Sequence, residues 1–178
     1  MRIKLFVILS ILLASAHQLM AQTDTWKNYQ ASGYDSGSGT EADPYVIKTA
    51  GQLAYFANRI SSGQDLSVCV ELRANIDLSA HYWAPIGEVS GVKPNNSFAG
   101  TFDGHGFTIR NMKQSFANAE NTAFFANLKG NSVVRNLNFD NADIQCEAQW
   151  NNTRRVGVLV GAAYGRSEEH TSKLQSQR

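Results

Sequence analysis

Hydrophobic and polar residues alternate with two different periods along this chain of 178 residues. Between Thr49 and Ile60 the apolar residues recur every three or four positions, which is the spacing of an amphipathic helix. Thr49 and Gln52 add the T-x-x-Q pattern of a capping box, in which each side chain bonds the backbone N–H of the other residue. Pro44, ahead of the strand-like run Tyr45–Ile47, keeps this helix from extending backward. The pattern predicts one helix, over residues 49–60.

After Gly63 the period changes to two, and the remaining pattern is that of strands. Val68, Val70 and Leu72 alternate with their neighbours in the way that a half-buried strand requires. From Phe98 onward, short apolar runs are separated by Gly, Asn and Asp residues, which are typical of turns. The sequence therefore predicts an all-β domain with one helix at its start.

Two of the strand-like segments resemble each other. Phe107–Met112 aligns with Ser132–Leu137, position by position and without a gap. Strands that recur at a regular spacing, such as that from Phe107 to Ser132, predict a solenoid. In a solenoid each coil buries its apolar face by stacking on its neighbours. Equivalent positions of successive coils would then lie above one another. Ile109 and Val134 would share an interior column, and Asn111 and Asn136 would form an amide ladder at a turn.

The segment 1–21 at the N-terminus has the layout of a secretory signal peptide. Arg2 and Lys4 precede the apolar run from Leu5 to Leu13, and small residues follow as far as Ala21. The run is far shorter than the roughly 20 residues that span a bilayer. We therefore expect cleavage after Ala21 and an exported chain, extracellular or at the cell surface, with no membrane span in its mature part.

The other end of the chain has a different character. Residues 166–178 resemble the translation of a widely used sequencing adapter, and within Arg166–Ser176 only Lys173 departs from it. A natural polar tail is the alternative, since such tails are common at chain ends. We expect residues 166–178 to be non-native and the domain before them to be incomplete at its C-terminus.

Residues 22–165 remain for the mature protein. The stretch 22–43 is polar and rich in Gly, Ser and Asp, and we expect it to be flexible. Residues 44–165 then form one domain, which is long enough for a single core. Residues 22–165 hold 11 basic and 13 acidic side chains, a net charge of −2. This balance argues against a nucleic-acid partner, because binding to phosphates needs a concentrated basic patch.

The two cysteines, Cys69 and Cys146, leave two readings open. An exported chain permits a disulfide between them. Each also falls in a strand-like run, where a small thiol packs well. Two cysteines are far from a disulfide framework, so the sequence favours two packed thiols over a bridge.

Several segments occur in the same order as in bacterial surface proteins of the Bacteroidetes type that carry GLUG-type repeats: Gly37–Ile47, Gln52–Phe56, Asn75–Ser79, Trp83–Gly87, Phe98–Gly104 and Thr108–Asn111. Val156–Gly161 resembles the Gly-Gly-Leu-Val-Gly core of the repeat through Gly157, Leu159 and Gly161, although Val158 replaces the second glycine. The resemblance implies a right-handed parallel β-helix that is capped by the N-terminal helix and ends in a GLUG-like repeat. It also implies a secreted or cell-surface protein.

Parallel β-helices also carry polysaccharide lyases and glycoside hydrolases, so fold alone does not decide whether the protein is an enzyme. Such enzymes need paired carboxylates, or a carboxylate with a base, on adjacent coils. The candidates are Asp103 with His105, and Asp140 with Asp143 and Glu147. Asp103–Gly106 is more simply a tight turn. Asp140 and Asp143 read as solvated loop residues, with a calcium site as the alternative. We expect no catalytic residue, no metal and no cofactor.

Recognition is the simpler role, because a β-helix offers long faces on which exposed aromatic side chains can bind sugars or proteins. Trp150, in a polar loop, is the main candidate for ligand contact, and His81, Tyr82 and Trp83 are further aromatic candidates. Packing inside the first coils is the alternative for Trp83. The sequence favours a non-catalytic exported adhesion module that binds a glycan or a host or cell-surface protein. The alternative is the non-catalytic N-terminal part of a larger secreted carbohydrate-active enzyme or peptidase.

Overall fold

The computed structural model describes residues 24–87, 95–115, 120–145 and 155–164. The predicted signal peptide, the adapter-like tail, Cys146, Glu147 and Trp150 lie outside these ranges. Within them the chain forms a 3₁₀ turn (Trp26–Tyr29), the helix α1 (Ala50–Ser61) and a series of short strands. The strands are β1 Tyr45–Ile47, β2 Cys69–Leu72, β3 Ile76–Asp77, β4 Thr101–Asp103, β5 Thr108–Arg110, β6 Lys113–Ser115, β7 Asn121–Thr122, β8 Phe125–Lys129, β9 Val133–Arg135, β10 Asn138–Asp140, β11 Asp143–Gln145, β12 Arg155–Val156 and β13 Val160–Tyr164.

The helix α1 begins where the capping box predicts. The backbone N–H of Gln52 donates to the Thr49 hydroxyl at 3.2 Å, and the Gln52 side-chain oxygen accepts from the backbone N–H of Thr49 at 3.1 Å. These two bonds satisfy N–H groups that have no partner within a helix. The predicted apolar face packs into the core through the following side chains: Leu53, Ala54, Phe56, Ala57 and Ile60.

All strand pairs among the described residues that join two named strands are parallel. The strands β1, β2, β4 and β9 form a four-stranded sheet, and β3, β5 and β10 form a three-stranded one. Three further pairs join β6 to β11, β7 to β12 and β8 to β13. Each later strand therefore lies beside an earlier strand that runs in the same direction. The prediction of a β-rich chain with one helix is confirmed.

The predicted repeat register, which places Ile109 over Val134, is wrong. β5 pairs with β10 so that Ile109 lies beside Phe139, and β4 pairs with β9 so that Val134 lies beside Phe102. Ile109 and Val134 thus belong to different sheets. Between Val133 and Ile144, short strands and corners recur at a close, even spacing, so the alignment of Ile109 with Val134 and its alignment with Phe139 look alike. The sequence pattern does not distinguish these two alignments, and the predicted alignment is the wrong one.

Asparagines in the left-handed backbone region form the corners between these strands. The φ angles of Asn111, Asn136 and Asn141 are 55°, 53° and 55°, a conformation that Asn tolerates better than most residues. An amide ladder does form here, but with a different partner from the one predicted. Asn141 Nδ2 donates to Asn111 Oδ1 at 2.8 Å, and Asn111 Nδ2 donates to Asp77 Oδ1 at 3.1 Å. Asn136 instead donates to Asp103.

The polar segment before β1 is bonded to the rest of the structure from Asp24 onward. The backbone N–H of Trp26 donates to the Tyr82 carbonyl at 3.0 Å, and the N–H of Tyr82 donates to the Asp24 carbonyl at 3.0 Å. Further along, the N–H of Val46 donates to the Ser36 carbonyl at 2.9 Å. The flexibility expected for residues 22–43 stays a prediction.

We expect Phe102→Ala to lower the free energy of unfolding by about 3–5 kcal/mol, because removing a fully buried ring leaves a cavity. The Phe102 ring is fully buried and contacts the rings of Phe56, Phe124 and Phe125. Urea denaturation followed by circular dichroism measures the change. The control is Val133→Ala on the outer face, where 44% of Val133 is exposed and the change should stay below about 1 kcal/mol. Equal losses in the two variants would contradict the assignment of Phe102 to the core.

Candidate functional site

The outer face of the four-stranded sheet carries two rows of side chains. Because β2, β4 and β9 are parallel and in register, residues at alternate positions line up across the strands. The first row is Cys69, Thr101 and Val133, and the second is Glu71, Asp103 and Arg135. The positions between the rows, Val70, Phe102 and Val134, pack into the core or against it. The register that builds the core therefore also aligns three charged side chains on the outer face of the sheet.

Glu71 is the most constrained member of the charged row. Only 8% of the residue is exposed. Arg73 holds its carboxylate in a fork, with Nε at 2.7 Å from Oε1 and Nη2 at 3.0 Å from Oε2. His105 Nε2 lies 2.9 Å from the same Oε2. A carboxylate with this many charged or polar neighbours is fixed in one orientation.

Asp103 is equally buried, with 8% exposed. Its carboxylate accepts from Arg135 Nε at 2.7 Å, from the His105 backbone N–H at 2.9 Å and from Asn136 Nδ2 at 3.0 Å. Burial by itself raises the pKa of Asp103, but the bonds from His105, Asn136 and Arg135 outweigh it and hold that pKa below its ordinary value. The side chain is thus kept ionised.

The turn after β4 brings His105 over the charged row. His105 has φ 48°, Gly106 has φ 80°, and the N–H of Phe107 donates to the Gly104 carbonyl at 2.8 Å. These are the features of a tight turn with left-handed central residues, so the prediction for Asp103–Gly106 is confirmed. The sequence did not indicate that the imidazole would contact Glu71.

The rows form part of the lining of an open groove of ≈ 430 Å³, to which Glu41 and Pro44 also contribute. This volume is within the range of small-molecule sites, roughly 300–1,000 Å³. Its lining offers carboxylates, a guanidinium, an imidazole and a hydroxyl beside apolar carbon. Among the described residues, no group of three or more His, Cys, Asp or Glu side chains is placed to hold a metal ion.

The aromatic residues that were predicted to contact a ligand lie in different environments. Trp83 is 1% exposed, stacks on Phe124 with ring centres 5.3 Å apart, and donates its Nε1–H to the Phe124 carbonyl at 3.2 Å. The prediction that Trp83 contacts a ligand is therefore wrong, and the alternative of a packing role is what the structure shows. Trp150 lies outside the described residues, so its role stays a prediction.

Tyr82 and His81 lie beside the 3₁₀ turn. The Lys113 ammonium is 5.1 Å from the centre of the partly buried Tyr82 ring. His81 stacks on the exposed ring of Tyr29 with centres 3.6 Å apart, and its Nδ1 lies 2.8 Å from Asp24 Oδ1. Neither His81 nor Tyr82 lines the groove. Ligand contact by His81 and Tyr82 stays a prediction, at a surface separate from the charged row.

The other acidic candidates are not brought together with Asp103. Asp140 and Asp143 are exposed, as predicted, but they belong to the strands β10 and β11 rather than to a loop. Asp140 makes a long contact of 3.9 Å with Arg110 Nε. Cys69 lines the groove and is partly buried. The preference for two packed thiols over a bridge stays a prediction, because Cys146 is not among the described residues.

The segment Val156–Gly161 makes close contacts through its two glycines. A methyl group at Gly157 would lie 2.7 Å from the Val160 carbonyl oxygen, and one at Gly161 would lie 2.8 Å from Asn121 Cβ. Both positions therefore require glycine. Leu159, which matches the leucine of the repeat motif, is 36% exposed. Its carbonyl accepts from the N–H of Phe125 at 2.9 Å, so its backbone is what holds the segment in place.

No protein-family model and no solved structure match this chain. The chain is 26% identical over 162 residues to a protein named "Putative Gly-rich membrane protein" from Evansella cellulosilytica, a match that covers 90% of the chain and 17% of that protein. It is 31% identical over 126 residues to Halomucin from Haloquadratum walsbyi, covering 71% of the chain and 1% of that protein. The chain thus spans a small part of the curated relatives it matches. Among the described residues, no helix is long and apolar enough to cross a membrane.

We expect Asp103→Asn to lower the free energy of unfolding at pH 7 by about 1–3 kcal/mol, because it removes a buried charge that three donors bond. A lowered folded-state pKa stabilises the protein above the unfolded-state pKa of about 3.9, and this contribution is lost as the pH falls through the folded-state pKa. The difference between wild type and variant should therefore shrink from pH 7 to pH 3. Urea denaturation at pH 7, 5 and 3 measures it.

Asp140→Asn is the matched control, since the Asp140 side chain is 68% exposed and only 3.9 Å from a guanidinium. Its effect should stay below about 0.5 kcal/mol at each pH. A difference for Asp103→Asn that is the same at pH 7 and pH 3 would contradict the ionised state that we assign to Asp103.

Proposed function

We propose that this chain is a non-catalytic recognition module of an exported surface protein, built as a right-handed parallel β-helix. The observation that carries the proposal is the row of Glu71, Asp103 and Arg135 at the groove. These side chains lie on adjacent strands, and their contacts fix them before any ligand arrives. A site fixed in this way loses little conformational entropy when it binds.

The strand pairing supports the β-helix. The described strands pair in parallel, and the number of residues between paired strands is similar from one pair to the next. The successive turns of a solenoid pair in this way. The corners Asn111 and Asn141 bond to each other from successive turns. The helix α1 follows β1 directly and packs its apolar face into the same core, which fits a helix that covers the first coil.

The state of the carboxylates supports recognition rather than catalysis. A general acid needs a pKa near the working pH, which active sites reach by keeping a carboxyl group away from cations. Asp103 has the opposite environment, because Arg135 and two N–H donors lower its pKa. Glu71 is held by the fork of Arg73. Asp103 is therefore a poor general acid, and the Glu71 carboxylate is occupied by its contacts with Arg73 and His105.

The location is argued from the sequence and the relatives together. The segment 1–21 has the pattern of a signal peptide. One relative is named as a Gly-rich membrane protein and the other as Halomucin. We place the mature chain at the cell surface, where its partner is a glycan or a host or cell-surface protein.

We expect Thr101→Arg to weaken binding to the recognised partner at least tenfold, because a long cation in the middle of the first row fills the groove. The purified chain is tested by biolayer interferometry against dextran, mannan, xylan, fibronectin and collagen. Thr108→Arg on β5 is the matched control, since it adds the same side chain at another partly exposed strand threonine that does not line the groove. Full binding by Thr101→Arg, or no binding of the wild type to any probe, would contradict the proposal.

A further inference from the structure

We propose that the groove binds a saccharide through two neighbouring hydroxyl groups, with Asp103 accepting from one hydroxyl and Arg135 donating to the other. This inference rests on the proposed recognition function and names its ligand class. The geometry that points to it is an ionised acceptor and a partly used guanidinium, joined by one bond at the edge of the groove.

The unused hydrogen-bonding capacity of these two side chains sets the kind of ligand. Asp103 Oδ2 accepts the Arg135 Nε–H, while a carboxylate oxygen has two lone pairs to offer. Among the described residues, Arg135 makes this one contact, although a guanidinium carries five N–H donors. The Arg135 side chain is 61% exposed. A charged acceptor and charged donors therefore lie side by side and face the groove.

Hydroxyl groups match this pair because each one donates and accepts. Vicinal hydroxyls of a sugar present one group to the carboxylate and one to the guanidinium at the same time. Hydrogen bonds to ionised groups are roughly twice as strong as bonds between neutral groups. Each hydroxyl bonded to Asp103 or Arg135 therefore contributes more to binding than a bond between neutral groups would.

The charge of the lining disfavours ions as ligands. An anion drawn to Arg135 would lie beside the carboxylate of Asp103, with Glu71 on the next strand and Glu41 in the same lining. A cation would find Asp103 and Glu71 already neutralised by Arg135 and Arg73. An uncharged ligand with many hydroxyl groups avoids both conflicts.

The row of Cys69, Thr101 and Val133 supplies the apolar part of the proposed sugar site. Val133 is 44% exposed and lies two positions from Arg135 on the same strand face. Cys69 and Pro44 add further apolar surface to the lining. A pyranose ring has a face of C–H groups and an edge of hydroxyls, so its face fits the apolar row while its edge meets the charged row.

The size of the groove favours a sugar over a protein surface. Its volume of ≈ 430 Å³ suits a small ligand or one part of a chain. A stable protein interface buries about 1,600 Å² in total, far more than one such groove provides. The groove therefore fits a sugar better than a protein surface.

The test compares intact polysaccharides with the same polysaccharides after periodate oxidation, which cleaves the C–C bond of vicinal diols to two aldehydes, and borohydride reduction, which converts those aldehydes to alcohols. Dextran, mannan and xylan are the probes, and biolayer interferometry on the purified chain gives the dissociation constants. We expect at least one intact polysaccharide to bind and its oxidised form to bind at least tenfold more weakly. Arg135→Gln should weaken binding of the intact form at least tenfold.

The matched control is Arg110→Gln, which removes a similarly exposed guanidinium outside the groove and should leave binding unchanged. Thermal unfolding of both variants checks that each remains folded. Equal binding of oxidised and intact polysaccharide, or full binding by Arg135→Gln, overturns the diol proposal but leaves the recognition function standing. Binding to fibronectin or collagen alone overturns the sugar and favours a protein partner. If no probe binds, the proposed function fails together with the inference.

Discussion

The parallel, in-register pairing of β2, β4 and β9 is the constraint on which the rest of this structure depends. Side chains alternate between the two faces of a strand, so a single register decides which residues enter the core and which face outward. In this register Phe102 packs into the core and its neighbour Asp103 faces the groove. A slip of one residue would place Asp103 inside and Phe102 outside. The core and the candidate site are therefore two results of the same pairing.

Stacking has a consequence for charge as well as for packing. Adjacent strands lie about 4.8 Å apart, so the register brings the carboxylates of Glu71 and Asp103 close together in positions that are largely shielded from water. Two such charges repel, and each needs a compensating partner. Arg73 and Arg135 supply one cation each, and His105 bonds to both acidic residues, through its ring and its backbone N–H. The resulting network holds both carboxylates in place and keeps the pKa of Asp103 below its ordinary value.

Local features were predictable from the sequence, whereas contacts between distant segments were not. The capping box fixed the start of α1, and Asp and Gly residues marked the turn after β4. The repeat register failed because strands and asparagine corners recur at a close, even spacing, so the sequence matches itself at several offsets. Glu71 was missed for a related reason, since its partner His105 is 34 positions away. Trp83 gave no local signal either, because an aromatic residue can serve on a surface or in a core.

Crosslinking of Thr101→Cys to Cys69 tests the register most directly, because these residues are paired neighbours on β2 and β4. The short thiol crosslinker dibromobimane, followed by proteolysis and mass spectrometry, reports whether the two peptides are joined. Thr108→Cys on β5 serves as the control, since that strand belongs to another sheet. The account predicts a crosslink between position 101 and Cys69 in the folded chain, and none between position 108 and Cys69 in the folded control. A folded Thr101→Cys chain in which Cys69 is not joined to position 101 would contradict the pairing, and with it both the core and the groove.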